Sequence, residues 1–427
     1  MIRVGQSYRR HPPQGKFDAI VIGSGVGGLT AAALLAKHAG KRVLVLERHY
    51  MPGGFTHVFR RRGYEWDVGV HYIGGMGSRR SGARRLFDHL SDGSLKWASM
   101  GDVYDRIILG DRSYDYVTGP DRFTAQMKQY FPSGAEAIDR YMEMVHKAEK
   151  ASQLYFAEKA VPGSVSFVAG PLMRKAYLRY ARQTTKEVLD SLTDDAELKG
   201  VLTGQLGDYG LPPSRSSFAM HAMLARHYQW GGFYPIGGAS RIAAAIAPAI
   251  EAAGGEILFQ ADVTKIEVRG GRAVGVRMAD DAVLEAPLVV SAVGVHNTYQ
   301  RLLAPDNPET AASSKSFAEP GKSQASVSHL CLYVGFKQTA DELGLPKNNL
   351  WIYPGNDHDA SFDAYLADPE APLPLVYVSF PSAKDPTFEE RYPGRATIEL
   401  ITLAPFERFE RWADTEWRKR GTEYEAV

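Results

Sequence analysis

The stretch "FDAIVIGSGVGGLTAAALLAKHAGKRVLVLERHY", Phe17 to Tyr50, decides the fold. Ala19 to Ile22 is a short branched apolar run of the kind that makes a buried parallel strand. Gly23, Gly25 and Gly28 follow in the spacing G-x-G-x-x-G. Leu29 to His38 is rich in alanine and leucine and reads as a helix stopped by Gly40. "RVLVLE" supplies a second strand, with Glu47 at its tip, 19 residues after Gly28. In such a unit Gly23 makes the tight turn and Gly25 lets backbone approach a pyrophosphate. Gly28 lets helix and strand pack closely, and the helix N-terminus aims its free N–H groups at phosphate. Glu47 is placed to hydrogen-bond ribose hydroxyls. A glycine pattern alone is often only a turn; strand, helix, second strand and acid in register specify a dinucleotide site.

A second glycine pair, Gly53-Gly54, follows six residues after that acid. A nicotinamide dehydrogenase has no need of it. The elongated FAD runs on past the second strand and requires backbone close to it, so the pair favours a flavin. Next comes "GYEWDVGVHYIGG", Gly63 to Gly75, which holds His71 and Tyr72 on a glycine-studded segment. Glu47, Gly53-Gly54 and Asp67-x-Gly69 together resemble the opening of the phytoene desaturase and amine oxidase flavoproteins. Within that group, "GGFTHVF" (Gly53 to Phe59) and "WDVGVHYIGG" (Trp66 to Gly75) are similar to the retinol saturase (all-trans-retinol reductase) family, which sits beside the carotenoid isomerases. So are "YGLPPSRSSFAMHA" (Tyr209 to Ala222), "YPIGGAS" (Tyr234 to Ser240) and "SFPSAKDPTFEERYPGR" (Ser379 to Arg395). These matches span most of the chain, and the last is long and specific.

The resemblance implies an α/β fold: a Rossmann-like FAD-binding domain of the glutathione-reductase type, interleaved with a mixed-sheet plus helical substrate domain. The FAD-binding domain would take residues 16–99 and 236–296. A helix-rich substrate or lid region would take 100–235, and a substrate sheet with a C-terminal helix 297–427. FAD would be held by Gly23, Ser24, Gly25, Val26, Gly27, Gly28, Glu47, Arg48, Gly53, Gly54, Phe55, Thr56, Gly69, Val70, His71 and Tyr72. Val263 would offer its backbone to the adenine, and Ala292, Val293 and Gly294 would pass the pyrophosphate. His71 and Tyr72 would face the flavin ring, where either could supply a proton; the alternative is that they satisfy each other in the core. Phe55 stands where amine oxidases usually carry arginine, which argues against amine oxidation. The glycine-containing segment that closes the flavin site in this family has no counterpart here, since Gly421 is the only glycine after Gly394. The sequence is therefore expected to be a bacterial, C-terminally shortened copy.

The rest of the chain carries no cofactor signature. Asp139 to Phe156 and Leu172 to Gln183 have helical spacing, and the stripe Tyr141, Met144, Val145, Ala148 reads as core. Ser240 should begin a small-residue helix kinked at Pro248. Glu256 to Gln260 reads as a strand, Thr264 to Met278 as a hairpin turning at Gly270-Gly271, and Ala286 to Gly294 as a buried parallel strand. Gln324 to Phe336, containing Cys331, and "PLPLVYVSFP" read as strands of a second sheet that floors the substrate cavity. Lys384-Asp385 reads as a loop ion pair or as a polar group at the pocket mouth.

The 427 residues exceed one core, and 44 % hydrophobic with 23 % charged residues describe an ordinary globular protein. A net charge of +1 gives no support for nucleic acid, and a single cysteine excludes an internal disulfide framework. No apolar run is long enough to span a bilayer and the N-terminus has no secretory h-region, so a cytoplasmic location is expected. Seven arginines between Arg60 and Arg85, against Glu65 and Asp67, could form a basic face for peripheral docking on anionic lipid, or a solvated loop. No Ser-His-Asp order, paired cysteines or H-E-x-x-H is present, so no metal is expected. The implied substrate is an apolar polyene or isoprenoid such as a retinoid or carotenoid, with NAD(P)H a candidate electron donor. Three activities compete: reduction or desaturation of a C=C bond, redox-neutral cis-trans isomerisation, and a non-catalytic lipid-binding flavoprotein or inactive fragment. Oligomeric state is not legible.

Overall fold

Ala19–Ile22 is buried at every position, because a central parallel strand has both faces covered. It pairs with Val43–Glu47 on one side and Val289–Ser291 on the other. Glu256–Phe259 and Gln6–Ser7 extend the sheet, and all five strands run parallel. The computed structural model describes residues 4–303, 328–368, 370–413, 415–416 and 419–426. Alternate side chains of the two central strands feed two cores. Ala19, Val21, Val43 and Val45 pack with Leu29, Ala33, Ile242 and Ile246 of the helices Val26–Ala39 and Arg241–Glu251. Ile20, Ile22, Leu44 and Leu46 pack with Val263, Ile266 and Val276 of a three-stranded antiparallel sheet, Val263–Arg269, Arg272–Met278 and Val283–Glu285. Gly40 caps the first helix in the left-handed conformation, φ 57°, and donates its N–H to Leu35. The second helix runs on through Pro248 to Glu251.

The second sheet has six strands in the order Ser328–Phe336, Ala396–Ala404, Val376–Ser379, Asn349–Tyr353, Val103–Leu109, Arg112–Val117. Only the pair Asn349–Tyr353 and Val103–Leu109 is parallel. The strands 103–109 and 112–117 lie inside the segment expected to be helix-rich, so that segment opens with a hairpin of the substrate sheet. Gln324 to Val327 of the expected strand lie outside the described residues. Helices Ala135–Lys159 and Phe218–Tyr228 cover this sheet, helix Gly163–Ala181 packs on the two of them, and Tyr141, Val145 and Ala148 are buried in this core with Met144 packed alongside. A short sheet of Ile73–Gly74, Gly232–Pro235 and Trp97–Ser99 links the two halves. The end expected as a charged helix consists of short turns at Phe406–Arg408 and Glu410–Trp412 and one helical turn, Thr422–Ala426. Among the described residues no helix is long and apolar enough to cross a membrane.

Candidate active site

The first helix begins without a side-chain cap and without an acid in its first turn, so its leading N–H groups are free to face an anion. A Cβ added at Gly25 or Gly27 would meet nothing within 4 Å, which leaves that approach open. A Cβ at Gly28 would lie 2.1 Å from the Gly23 carbonyl oxygen, so only glycine lets this helix sit so close to its strand. Ala292 and Val293 close the same turn from the neighbouring strand: their side chains are 3.2 Å and 3.0 Å from the Cβ positions of Gly28 and Gly23. Gly294, with φ 86°, has open space in front of it. Val263 is buried at the start of its strand, behind this sheet.

Glu47 braces the turn. Its Oε2 accepts from the Ser24 N–H at 2.9 Å and the Ser24 hydroxyl at 2.6 Å, and Oε1 accepts from the His49 N–H. The Ser24 hydroxyl oxygen in turn accepts from the Gly53 N–H at 3.0 Å. The second glycine pair therefore packs directly on the first turn: Gly54 has φ 55°, and a Cβ there would meet Gly25 Cα at 2.8 Å. A groove of about 390 Å³ continues past it, lined by Tyr50, Met51, His57, Phe59 and Ser240. Thr56 is buried, while Arg48 and Phe55 are exposed. Phe55, not backbone, is the close neighbour of Gly69, 2.8 Å from its Cβ position, and Val70 is half-buried. This glycine cradle, with its open N–H groups, fits the pyrophosphate of FAD.

His71 and Tyr72 do not pair with each other; each turns to a different buried acid. His71 Nδ1 lies 2.7 Å from Glu399 Oε2. The Asp67 N–H donates to Glu399 Oε1 at 2.6 Å, and the Tyr234 hydroxyl donates to Asp67 Oδ2 at 2.6 Å. The Tyr72 hydroxyl donates to Asp105 Oδ2 at 2.9 Å and lies 3.5 Å from Asp208, while its ring stacks on Tyr228. Asp105 also accepts from Gln205 at 2.6 Å and Asn349 at 2.7 Å. Lys384 ties the two acid groups together. Its Nζ donates to the Asn349 side-chain oxygen, to Ser379 Oγ at 2.7 Å and to the His71 carbonyl at 3.1 Å. Lys384 and Asp385 do not form a loop ion pair. The short helix Pro381–Lys384 turns the lysine inward, and Asp385 instead accepts from Arg391 at 2.6 Å.

Burial governs the charges here. Desolvation pushes Asp67 and Glu399 up to about 8 and Asp105 up to about 6, and it pushes Lys384 down to about 8. His71 is pushed down to about 4, again by burial, so its imidazole is neutral and lies against a protonated Glu399 near pH 7. The Tyr72 phenol is held well above its ordinary value by burial and by Asp105. Asp67 and Glu399 hold protons beside His71, and Asp208, whose carboxyl burial keeps well above its usual range, does so beside Tyr72. The donor atoms of Asp67, His71 and Glu399 also lie within 4.8 Å of one another, a spacing that fits a cation, but the Lys384 ammonium already supplies positive charge to these acids.

Sequence reasoning missed Asp105, Gln205, Asn349 and Glu399. The available signal was an acid on an otherwise apolar strand, as in "VYDRIIL" and "ATIELITLA". The arginines of the 60–85 stretch are partly neutralised, since Arg60 pairs with Glu65 at 2.6 Å and Arg84 with Asp88 at 2.8 Å.

The pattern of the flavin containing amine oxidoreductase family matches residues 26–422. The chain is 37 % identical to a Homo sapiens all-trans-retinol 13,14-reductase over 98 % of this chain and 71 % of that protein. It is 26 % identical to prolycopene isomerase 1 of an Oncidium hybrid cultivar over 95 % of this chain and 67 % of that one. A solved oxidoreductase from Methanosarcina mazei matches with a TM-score of 0.60 at 18 % identity, covering 92 % of this chain and 80 % of that one, which shows a shared fold. The chain belongs to the flavin containing amine oxidoreductase family.

Proposed function

We propose that this chain is an FAD-dependent oxidoreductase that reduces a C=C bond of a long apolar polyene, with a retinoid as the substrate class. The observation that carries this reading is the match to the human retinol reductase, which runs through the glycine cradle and the buried acid cluster alike. FAD, once bound and reduced by an external donor such as NAD(P)H, would supply the hydride that such a reduction needs. The chain supplies the rest. The free N–H groups after Gly25 and the turn braced by Glu47 hold the pyrophosphate, and Ala292, Val293 and Gly294 pass beside it. Tyr72 holds the proton for the second carbon of the double bond, Asp105 accepts from its hydroxyl and orients it, and Asp208 and Lys384 nearby hold protons in reserve. His71, neutral and fixed by Glu399, orients the segment that carries Tyr72. Redox-neutral isomerisation is the second reading, favoured by the match to prolycopene isomerase. We also place the enzyme at a membrane surface in this reading, because apolar polyenes partition into bilayers.

The test is to reconstitute the protein with FAD, reduce it chemically or with NAD(P)H, and add all-trans-retinol in detergent. A yellow protein and a product heavier by two hydrogens are expected. A product of unchanged mass selects isomerisation, and a colourless protein that takes up no FAD overturns both readings.

A further inference from the structure

The helical hairpin of the substrate half carries an apolar tip that none of the described residues covers. Helix Ala135–Lys159 ends at Ala160, and helix Gly163–Ala181 returns beside it, with Tyr155 stacked on Tyr177 at 4.2 Å. On the returning helix Phe167, Val168 and Leu172 are 85 %, 80 % and 78 % exposed, and Leu154 and Phe156 are more than half exposed on the other arm. Single exposed apolar residues are common; a cluster of five on one tip marks a docking surface.

The charges say what docks there. No acid occurs between Glu158 and Glu187, while Lys175, Arg179 and Arg182 are exposed and carry no ion pair among the described residues. Val168, Leu172, Lys175, Arg179 and Arg182 recur at steps of four, three, four and three residues, so they share one face of the helix. That face is apolar at its first end and cationic at its last. The span from Val168 to Arg182 is roughly 21 Å at the helical rise. A bilayer interface has the same order, acyl chains below and anionic headgroups above. A second copy of this chain offers no acid on this face to pair with these cations.

We propose that the tip of the 135–181 hairpin is a monotopic membrane-docking device: Phe167, Val168 and Leu172 enter the acyl boundary of an anionic bilayer while Lys175, Arg179 and Arg182 lie at its headgroups. This rests on the reading that the substrate is an apolar polyene, and it assigns docking to this hairpin instead of the arginines of residues 60–85.

The experiment is sedimentation of FAD-loaded full chain with vesicles of phosphatidylcholine alone or mixed with phosphatidylserine, without substrate. The triple variant F167S/V168S/L172S is expected to lose binding to both vesicles by roughly tenfold or more. Its flavin content, melting temperature and turnover of detergent-borne retinol should stay unchanged, because these side chains are exposed. K175Q/R179Q/R182Q is expected to lose roughly tenfold on the anionic vesicles alone. Unchanged sedimentation of the serine variant overturns the proposal, as does loss of binding only when Arg61, Arg62, Arg79, Arg80 and Arg85 are replaced by glutamine. Concentration-dependent dimerisation abolished by F167S/V168S/L172S also overturns it, in favour of a second copy. Vesicle binding needs no turnover, so a chain that docks but reduces no polyene fails the functional reading alone.

Discussion

The glycine cradle and the buried proton cluster are built in opposite ways. The cradle comes from one short stretch, Gly23 to Gly54, in which Ser24 joins Glu47 to Gly53. The cluster gathers Asp67, His71, Tyr72, Asp105, Asn349, Lys384 and Glu399 from elements separated by more than three hundred residues of chain. Binding a pyrophosphate needs backbone N–H groups in a fixed local geometry, which a turn and a helix end provide by themselves. Holding protons near neutral pH needs charges out of water, and only tertiary packing provides that. A local motif can therefore name a cofactor, whereas the proton chemistry belongs to the assembled fold.

This contrast is broken most severely at Tyr72. Replacing Tyr72 by Phe keeps the stack on Tyr228 and removes the hydroxyl that bonds Asp105. If the cluster delivers its proton through that hydroxyl, turnover falls by roughly a hundred- to ten-thousandfold while the yellow colour remains. Steady-state reduction of retinol, with flavin absorbance as the control, is the measurement; full activity would leave Tyr72 a packing residue. The opposite split is expected at the cradle. Glu47→Ala removes the charge-assisted bonds that brace the Ser24 turn, so FAD affinity is expected to fall by about ten- to a hundredfold. Titration of apoprotein with FAD reads this directly, and the bound fraction should turn over normally. Equal FAD affinity in both proteins would remove Glu47 from the cofactor site.

The same contrast explains what the sequence made legible. Ala19–Ile22, the helix after Gly25 and Val43–Glu47 follow from periodicity and glycine spacing, because each is fixed by its own neighbours. The hairpin Val103–Leu109 and Arg112–Val117 turns at Gly110-Asp111 and pairs with itself, a local signal passed over in a region expected to be helical; only its parallel pairing with Asn349–Tyr353, far along the chain, leaves no local trace. Lys384 was visible only as a charge beside Asp385, and what buries it is Asn349, Ser379 and the His71 carbonyl. Glu399 and Asp105 were missed; their only trace was an acid within an apolar run, a signal that says buried without saying against what. The Asp67-x-Gly69 motif marked a segment expected beneath the flavin, and the close neighbour of Gly69 in the fold is the Phe55 side chain.

The smallest expected effect concerns the pH dependence of stability, and its sign separates the two regions. Asp67 and Glu399 keep protons in the folded protein up to about 8, whereas unfolded carboxyls lose them near 4. Groups raised in this way stabilise the fold fully at low pH, and that contribution is lost as pH rises toward 8. Below about 6.5 the trend is opposed: His71, His221 and His358 are pushed down to about 4 by burial, so they favour the fold as pH rises from 4. Above 8, Lys384 takes over, because the unfolded lysine still binds its proton while the buried one has released it; stability then climbs again. Folding should be weakest near pH 8. In the window from about 6.5 to 8 the two acids act alone among these groups, and Glu399→Gln removes one of them while keeping the shape and a donor for His71 Nδ1. Its loss of stability across that window should be smaller than the native protein's by on the order of 1 kcal/mol. Urea unfolding at both ends of the window measures it. Parallel curves for the two proteins would mean that Glu399 releases its proton in the fold as readily as in the unfolded chain, and that the cluster holds charge instead of protons.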